Sequence, residues 1–156
     1  MKLLTLAALA ISLLTIGAPI HAQGLSLTVI AGDKTVELSM ADLDGMPQES
    51  FETTTIWTEG TVRYGGVPLA KILDAVEVAG TTLRMVALND YAVEMPIDEI
   101  GETYPVVATR MNGETMGVRD KGPYWVVFPY DSDPKYQTET TYSRSIWQLK
   151  TLSVVE

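Results

Sequence analysis

The hydrophobic pattern of this chain opens on one long block and then changes to short runs. Residues 3–16 are apolar apart from Thr5, Ser12 and Thr15, with Lys2 before them and Gly17 and Pro19 behind. From Leu25 onward alternation dominates. Residues 25–30 and 36–40 alternate apolar and polar around Gly32-Asp33-Lys34, the pattern of an opening β-hairpin. Residues 40–44 predict one helical turn, with Ser39 as N-cap and Gly45 as its stop. Residues 51–57 are rich in Thr and aromatics, a strand composition; Glu59-Gly60 turns the chain, and 62–64 predict a second short strand. Gly65-Gly66-Val67-Pro68 predicts a tight turn into a helix, with Pro68 at the first helical position. Leu69, Ile72, Leu73 and Val76 recur at helical spacing, carrying that helix to Val78 before Gly80 ends it. Residues 83–88 and 91–95 predict a strand pair about Asn89-Asp90, and 96–102 a short helix. Residues 106–111 and 114–118 flank Asn112-Gly113, a strong hairpin signal. Residues 124–130 form the most apolar strand, 131–136 a polar loop with Pro134, and 145–149 and 152–155 the closing strands. The prediction is one α+β domain, mostly β, with one main helix and short helices.

The opening block has the order of charge, apolar run, helix breaker and small residue of a cleavable secretory signal peptide. Its apolar run is shorter than the ~20 residues a membrane span needs. The expected division is a signal peptide over 1–22, cut near Ala22, and a single domain over 23–156 that is periplasmic or secreted. No Cys follows the run, so no lipid anchor is expected, and no later stretch is apolar enough to span a bilayer.

Charge and composition narrow the chemistry. The chain carries 11 basic and 20 acidic residues, a net charge of −9, and loss of Lys2 with the signal leaves −10. That sign disfavours nucleic acid and anionic membrane surfaces. There is no cysteine, and the sole histidine, His21, lies within the signal. The domain therefore lacks thiol nucleophiles, Ser-His-Asp triads, imidazole bases and the usual zinc or copper ligands. The expected partner is a small molecule or a periplasmic or membrane protein.

Several short motifs carry a resemblance. They are Tyr64-Gly65-Gly66-Val67-Pro68-Leu69 followed by Ile72-Leu73; Val86-Ala87-Leu88-Asn89-Asp90-Tyr91; Pro96-Ile97-Asp98; residues 108–113; residues 122–129, which open Gly122-Pro123; and residues 147–155, which open on Trp147. In this order the chain resembles the oxidoreductase molybdopterin-binding domain, the central domain of sulfite oxidases and plant nitrate reductases. The resemblance covers essentially all of residues 23–156 and implies the sulfite-oxidase-type fold with mixed sheets. For the enzymes it implies a molybdenum-binding cysteine thiolate just ahead of the Gly-Val-Pro-Leu segment, and Arg, Lys and His around the pterin phosphate. The corresponding residues 51–57 hold Thr53, Thr54 and Thr55 and no thiol. A neutral hydroxyl is a poor substitute for a soft thiolate ligand. The chain is also shorter than the catalytic domains, and Met1-Lys2 lacks the arginine pair of a twin-arginine signal, the export route the resemblance implies for preloaded enzymes. No cofactor is expected; molybdopterin enters through the resemblance alone.

Trp57, Tyr64 and Tyr91 are candidate walls of an emptied cleft suited to a flat or apolar ligand or a peptide. The competing reading makes them, with Tyr124, Trp125 and Tyr130, core aromatics with satisfied polar tips. Arg110, Arg119 and Lys121 form the one local basic cluster, readable as an anion or carboxylate site or as surface charges paired with Glu114 and Asp120. Asp131, Asp133 and Glu139 offer oxygen ligands, but not at EF-hand spacing, and read as a solvated acidic loop. No catalytic residue and no metal ligand is assigned. Three functions stay open: a cofactor-free ligand-binding, accessory or sensory module; a molybdopterin-dependent oxidoreductase with non-Cys ligation; and a structural envelope interaction protein.

Overall fold

In a computed structural model of the protein, residues 24–156 are described. The predicted signal peptide and its cleavage point lie outside the described residues. The domain is α+β and mostly β, built on two five-stranded sheets. Strands β1 (Leu27–Ala31), β2 (Lys34–Leu38), β5 (Thr82–Ala87), β6 (Ala92–Pro96) and β10 (Leu149–Val155) form the first, in the order β2-β1-β10-β5-β6. The pair β1–β10 is parallel and joins the two ends of the domain; the other pairs are antiparallel. The second sheet runs β3 (Glu49–Thr53), β4 (Val62–Pro68), β7 (Val106–Met111), β8 (Glu114–Thr115), with β9 (Trp125–Val127) also paired to β7.

Alternation places the core where the pattern predicts it. Leu27 and Val29, Leu83 and Met85, and Leu152 and Val154 are buried from the first sheet, and Val62, Tyr64 and Val67 from the second. Helix α2 (Leu69–Ala75) adds Leu69, Ile72 and Leu73. Helix α1 (Met40–Asp44) starts as predicted: Ser39 accepts from the Asp42 N–H (3.2 Å) while Asp42 accepts from the Ser39 N–H (2.8 Å), a capping box. Asn112 and Gly113 take the left-handed conformation that their hairpin requires. Among the described residues, no helix is long and apolar enough to cross a membrane.

The expectations fail where long-range contacts override local preference. Gly65-Gly66 is not a turn. It lies inside β4, at a bulge against β7. A Cβ on Gly66 would stand 2.0 Å from the Val107 carbonyl oxygen, so the glycine serves a close strand approach. Pro68 is the N-cap of α2, whose first N–H, on Leu69, donates to the Pro105 carbonyl (2.9 Å). That helix stops at Ala75 and not at Val78. The predicted helix over 96–102 is a single 3-10 turn, Ile97–Glu99. Strand β3 ends at Thr53, because Thr53, Thr54 and Thr55 turn their hydroxyls to hydrogen bonds within and across loops. The apolar stretch 124–130 keeps only three residues in strand. The expected polar loop at 131–136 contains most of two 3-10 turns, Tyr130–Ser132 and Pro134–Tyr136, and helix α3 (Glu139–Arg144) follows, unforeseen. The two closing strands are one, β10; residues 145–148 are a loop that leads into it.

Candidate functional site

Three loops converge on one cavity. The β3–β4 loop supplies Ile56 and Trp57, the β5–β6 turn supplies Asn89 and Tyr91 beside Ala87, and the end of α3 with its exit supplies Tyr142, Ser143, Ser145, Ile146 and Trp147. Together they line a cavity of about 400 Å³, a volume typical of small-molecule sites. Its rim leaves apolar surface in water: Ile56 is 64% exposed, Tyr91 48% and Trp147 37%. Three large apolar side chains exposed around one concavity mark a binding surface better than scattered ones would.

The centre of the wall is Trp57. Its ring meets four others edge to face, with centroids 5.9 Å from Trp125, 6.0 Å from Tyr130, 5.8 Å from Tyr142 and 5.7 Å from Trp147. The loop that carries it is held by side chains. The Thr55 hydroxyl accepts from the N–H groups of Trp57 (3.1 Å) and Thr58 (3.0 Å). The Asp131 carboxylate accepts from the Thr54 N–H (2.6 Å) and hydroxyl (2.7 Å), and the Asp131 N–H donates to the Thr53 hydroxyl (3.1 Å). These bonds from Thr54, the backbone one first, hold the Asp131 carboxyl below its usual pKa. Asp131 is thus a tie between loops, and Asp133 caps the next 3-10 turn through the Lys135 N–H (2.9 Å). Among the described residues, no three His, Cys, Asp or Glu side chains gather to hold a metal ion.

A buried polar chain runs behind the lining residue Ser145. The Tyr130 hydroxyl donates to the Ser145 hydroxyl (2.6 Å), which donates to the Thr141 carbonyl (2.8 Å), and the Trp125 indole N–H donates to the Ser145 carbonyl (3.1 Å). Burial pushes the Tyr130 hydroxyl well above the usual tyrosine range, so it stays neutral.

The sequence candidates separate in space. Trp57 and Tyr91 line the same cavity, and the Tyr91 hydroxyl donates to the Ser143 carbonyl (3.3 Å). Tyr64 is fully buried, its ring edge to face with Trp125 at 5.3 Å. Burial raises its pKa; the nearby Thr58 and Thr55 hydroxyls oppose that, but none closes a hydrogen bond, and the buried oxygen has no partner. Lys121 sits over the rings of Trp147 (5.4 Å) and Trp125 (5.9 Å), brought there as the Gln148 N–H donates to the Lys121 carbonyl (3.0 Å). Arg110 lies elsewhere, at a shallow depression with Glu52 and Arg63, and pairs with Asp44 at 2.9 Å rather than with Glu114. Arg119 is exposed on the 3-10 turn Val118–Asp120. Tyr142, Ile146 and Trp147 complete the cavity and were not among the sequence candidates. The one available signal was the apolar pair Ile146-Trp147 following a polar run rich in Thr and Ser.

Comparison with known proteins fits this architecture. The oxidoreductase molybdopterin binding domain matches residues 16–131. The chain belongs to that family. A solved structure, the sulfane dehydrogenase SoxCD from Paracoccus pantotrophus, is similar with a TM-score of 0.65 at 18% identity. That likeness covers 85% of this chain and 38% of the SoxCD chain, so the present chain spans well under half of that protein. No curated protein matches the chain in sequence. The family match ends at Asp131, so α3 and the Tyr142–Trp147 wall lie beyond it.

The family name implies molybdopterin, and the residues present do not fit its thiolate-ligated form. The sequence holds no cysteine, and its one histidine is His21. In the stretch where the resemblance implies the thiolate, the hydroxyls of Thr53, Thr54 and Thr55 are all engaged in hydrogen bonds within the protein. No Lys or Arg is among the residues that line this cavity, while Arg63 and Arg110 stand together at the separate depression.

Proposed function

We infer that this family member is an exported, cofactor-free binding module that holds a small, largely apolar molecule in the cavity walled by Trp57. The observation that carries this reading is the lining itself. Aromatic and aliphatic surface predominates, with Asn89, Ser143 and Ser145 as polar members of the lining. No carboxylate, amine, imidazole or thiol is among the lining residues, and the wall supplies chiefly apolar binding area. Export is supported by the order of charge, apolar run and small residue over 1–22.

The test uses protein recovered from the periplasm of its own cells. The expected result is an N terminus near Gln23, molybdenum far below one equivalent, and no pterin fluorescence after oxidation. Thermal unfolding is then followed against a panel of small aromatic and aliphatic compounds. A ligand at 100 times its Kd adds about 2.7 kcal/mol, roughly 10 °C for a domain of this size. Molybdenum near one equivalent would overturn the cofactor-free reading and favour an oxidoreductase with non-Cys ligation. No shift from any compound, with a protein partner recovered by crosslinking, would favour a structural envelope role.

A further inference from the structure

The signs and angles of the cavity walls narrow the ligand class. Anions are disfavoured, because no Lys or Arg lines the cavity. The ring of Trp57 stands at 89° to Tyr142 and 73° to Trp147. These edge-to-face pairs set the rings at steep angles to one another rather than as two parallel walls. Aromatic faces carry negative quadrupole potential and attract cations, tryptophan most strongly. This cluster already does so on one side, where the Lys121 ammonium rests over Trp147 and Trp125. Among the described residues, no ammonium or guanidinium lies over Trp57, Tyr91 or Tyr142. The net charge of −9 favours cations over anions around the chain as a whole.

We propose that the cavity takes a compact organic cation, a quaternary ammonium group, among the aromatic side chains of Trp57, Tyr142 and Tyr91 that line it. This rests on the ligand-binding reading above and specifies its chemistry. The cation's methyl groups pack on this aromatic lining and its charge is met by the rings, with no ion pair needed. The rest of the cavity, which is larger than such a headgroup, accommodates the substituent that the ammonium carries.

The test compares two probes of nearly equal shape, choline and its uncharged carbon isostere 3,3-dimethylbutan-1-ol, by tryptophan fluorescence titration and saturation-transfer NMR, with indole as a neutral aromatic control. Choline should bind on the order of tenfold more tightly than the isostere. Tyr91→Leu keeps apolar bulk but loses the ring at a half-exposed lining position, and should weaken choline by a larger factor than the isostere, narrowing the ratio between the two. Tyr91→Phe should restore choline binding. Binding of the isostere or indole equal to or tighter than that of choline would overturn the cation assignment and leave the apolar-cavity reading standing. Failure of all three probes, with the fold intact by circular dichroism, would overturn the cation assignment and count against the cavity reading as well.

Discussion

Replacing Trp57 with alanine tests the central packing claim about this cavity. The ring is partly buried and meets four aromatic neighbours edge to face. A tryptophan buries up to about 250 Å². With roughly 100–150 Å² of that removed from water here, at ~25 cal/mol per Å², the apolar loss is about 3 kcal/mol. Edge-to-face pairs are each worth about 0.5–1.5 kcal/mol beyond area, but four pairs sharing one ring do not add independently. The expected cost of Trp57→Ala is therefore about 3–4 kcal/mol, within the range seen for buried aromatic truncations. Trp57→Phe keeps most of the edge contacts and should cost about 1–2 kcal/mol. Equilibrium urea unfolding, followed by far-ultraviolet circular dichroism, measures both. A second readout is unusually direct, because the three tryptophans of the chain all belong to this cluster. Near-ultraviolet circular dichroism should fall by far more than a third on loss of Trp57, since the coupling of the remaining two also changes. A cost below about 1 kcal/mol, with the near-ultraviolet spectrum of Trp125 and Trp147 unchanged, would refute the view that Trp57 organises the wall.

Other outcomes follow from the same geometry. Gly66→Ala places a methyl group 2.0 Å from the Val107 carbonyl oxygen, backbone that cannot turn aside; a loss at or above about 3 kcal/mol is expected in urea unfolding, and a Tm within a degree or two of the parent would contradict the close strand approach. Asp131→Ala removes the tie to Thr54 and should raise the exchange rate of the Trp57 amide and weaken ligand binding severalfold. Because the folded-state pKa of Asp131 is lowered, its stabilisation is fully present above the unfolded pKa of about 3.9 and disappears as pH falls through the folded value. The stability gap between parent and variant should thus be constant near neutral pH and narrow only in acid; a gap that widens in acid would show that the sign is wrong. Ser39→Ala breaks the capping box of α1 and should cost about 1 kcal/mol without altering ligand affinity, as thermal unfolding with and without ligand would reveal.

Much of the fold was legible because its signals are local. Ser39 and Asp42 stand three residues apart, so their reciprocal bonds follow from the chain itself. Asn112-Gly113 tolerates positive φ, so its hairpin needs no distant partner. Gly65-Gly66 carried the wrong message, since glycine marks a turn and a close backbone approach equally well. Only the position of β7 distinguishes them. Helix α3 was missed for the opposite reason: Glu139–Arg144 is rich in Thr and Ser, poor helix formers, and the Thr138 cap and packing of Tyr142 on Trp57 hold it.

The site divides along the same line. The sequence alone determined what this domain lacks, a thiol and an imidazole after residue 21, because composition is independent of folding. It also determined that aromatic residues and a family pattern surround Trp57 and Tyr64. Tertiary structure decided which of them face a cavity. Tyr64 and Trp57 are seven residues apart in similar surroundings, yet one is sealed in the core and the other forms a wall. Arg110 and Lys121 are near in sequence, yet one answers to Asp44 and the other to two tryptophan faces. The cavity is assembled from segments near 57, 89 and 145, and no local signal encodes their meeting. Their distance is set by the pairing of β5 with β10 and of β3 with β4, and by where the loops at those strand ends then find apolar surface to cover.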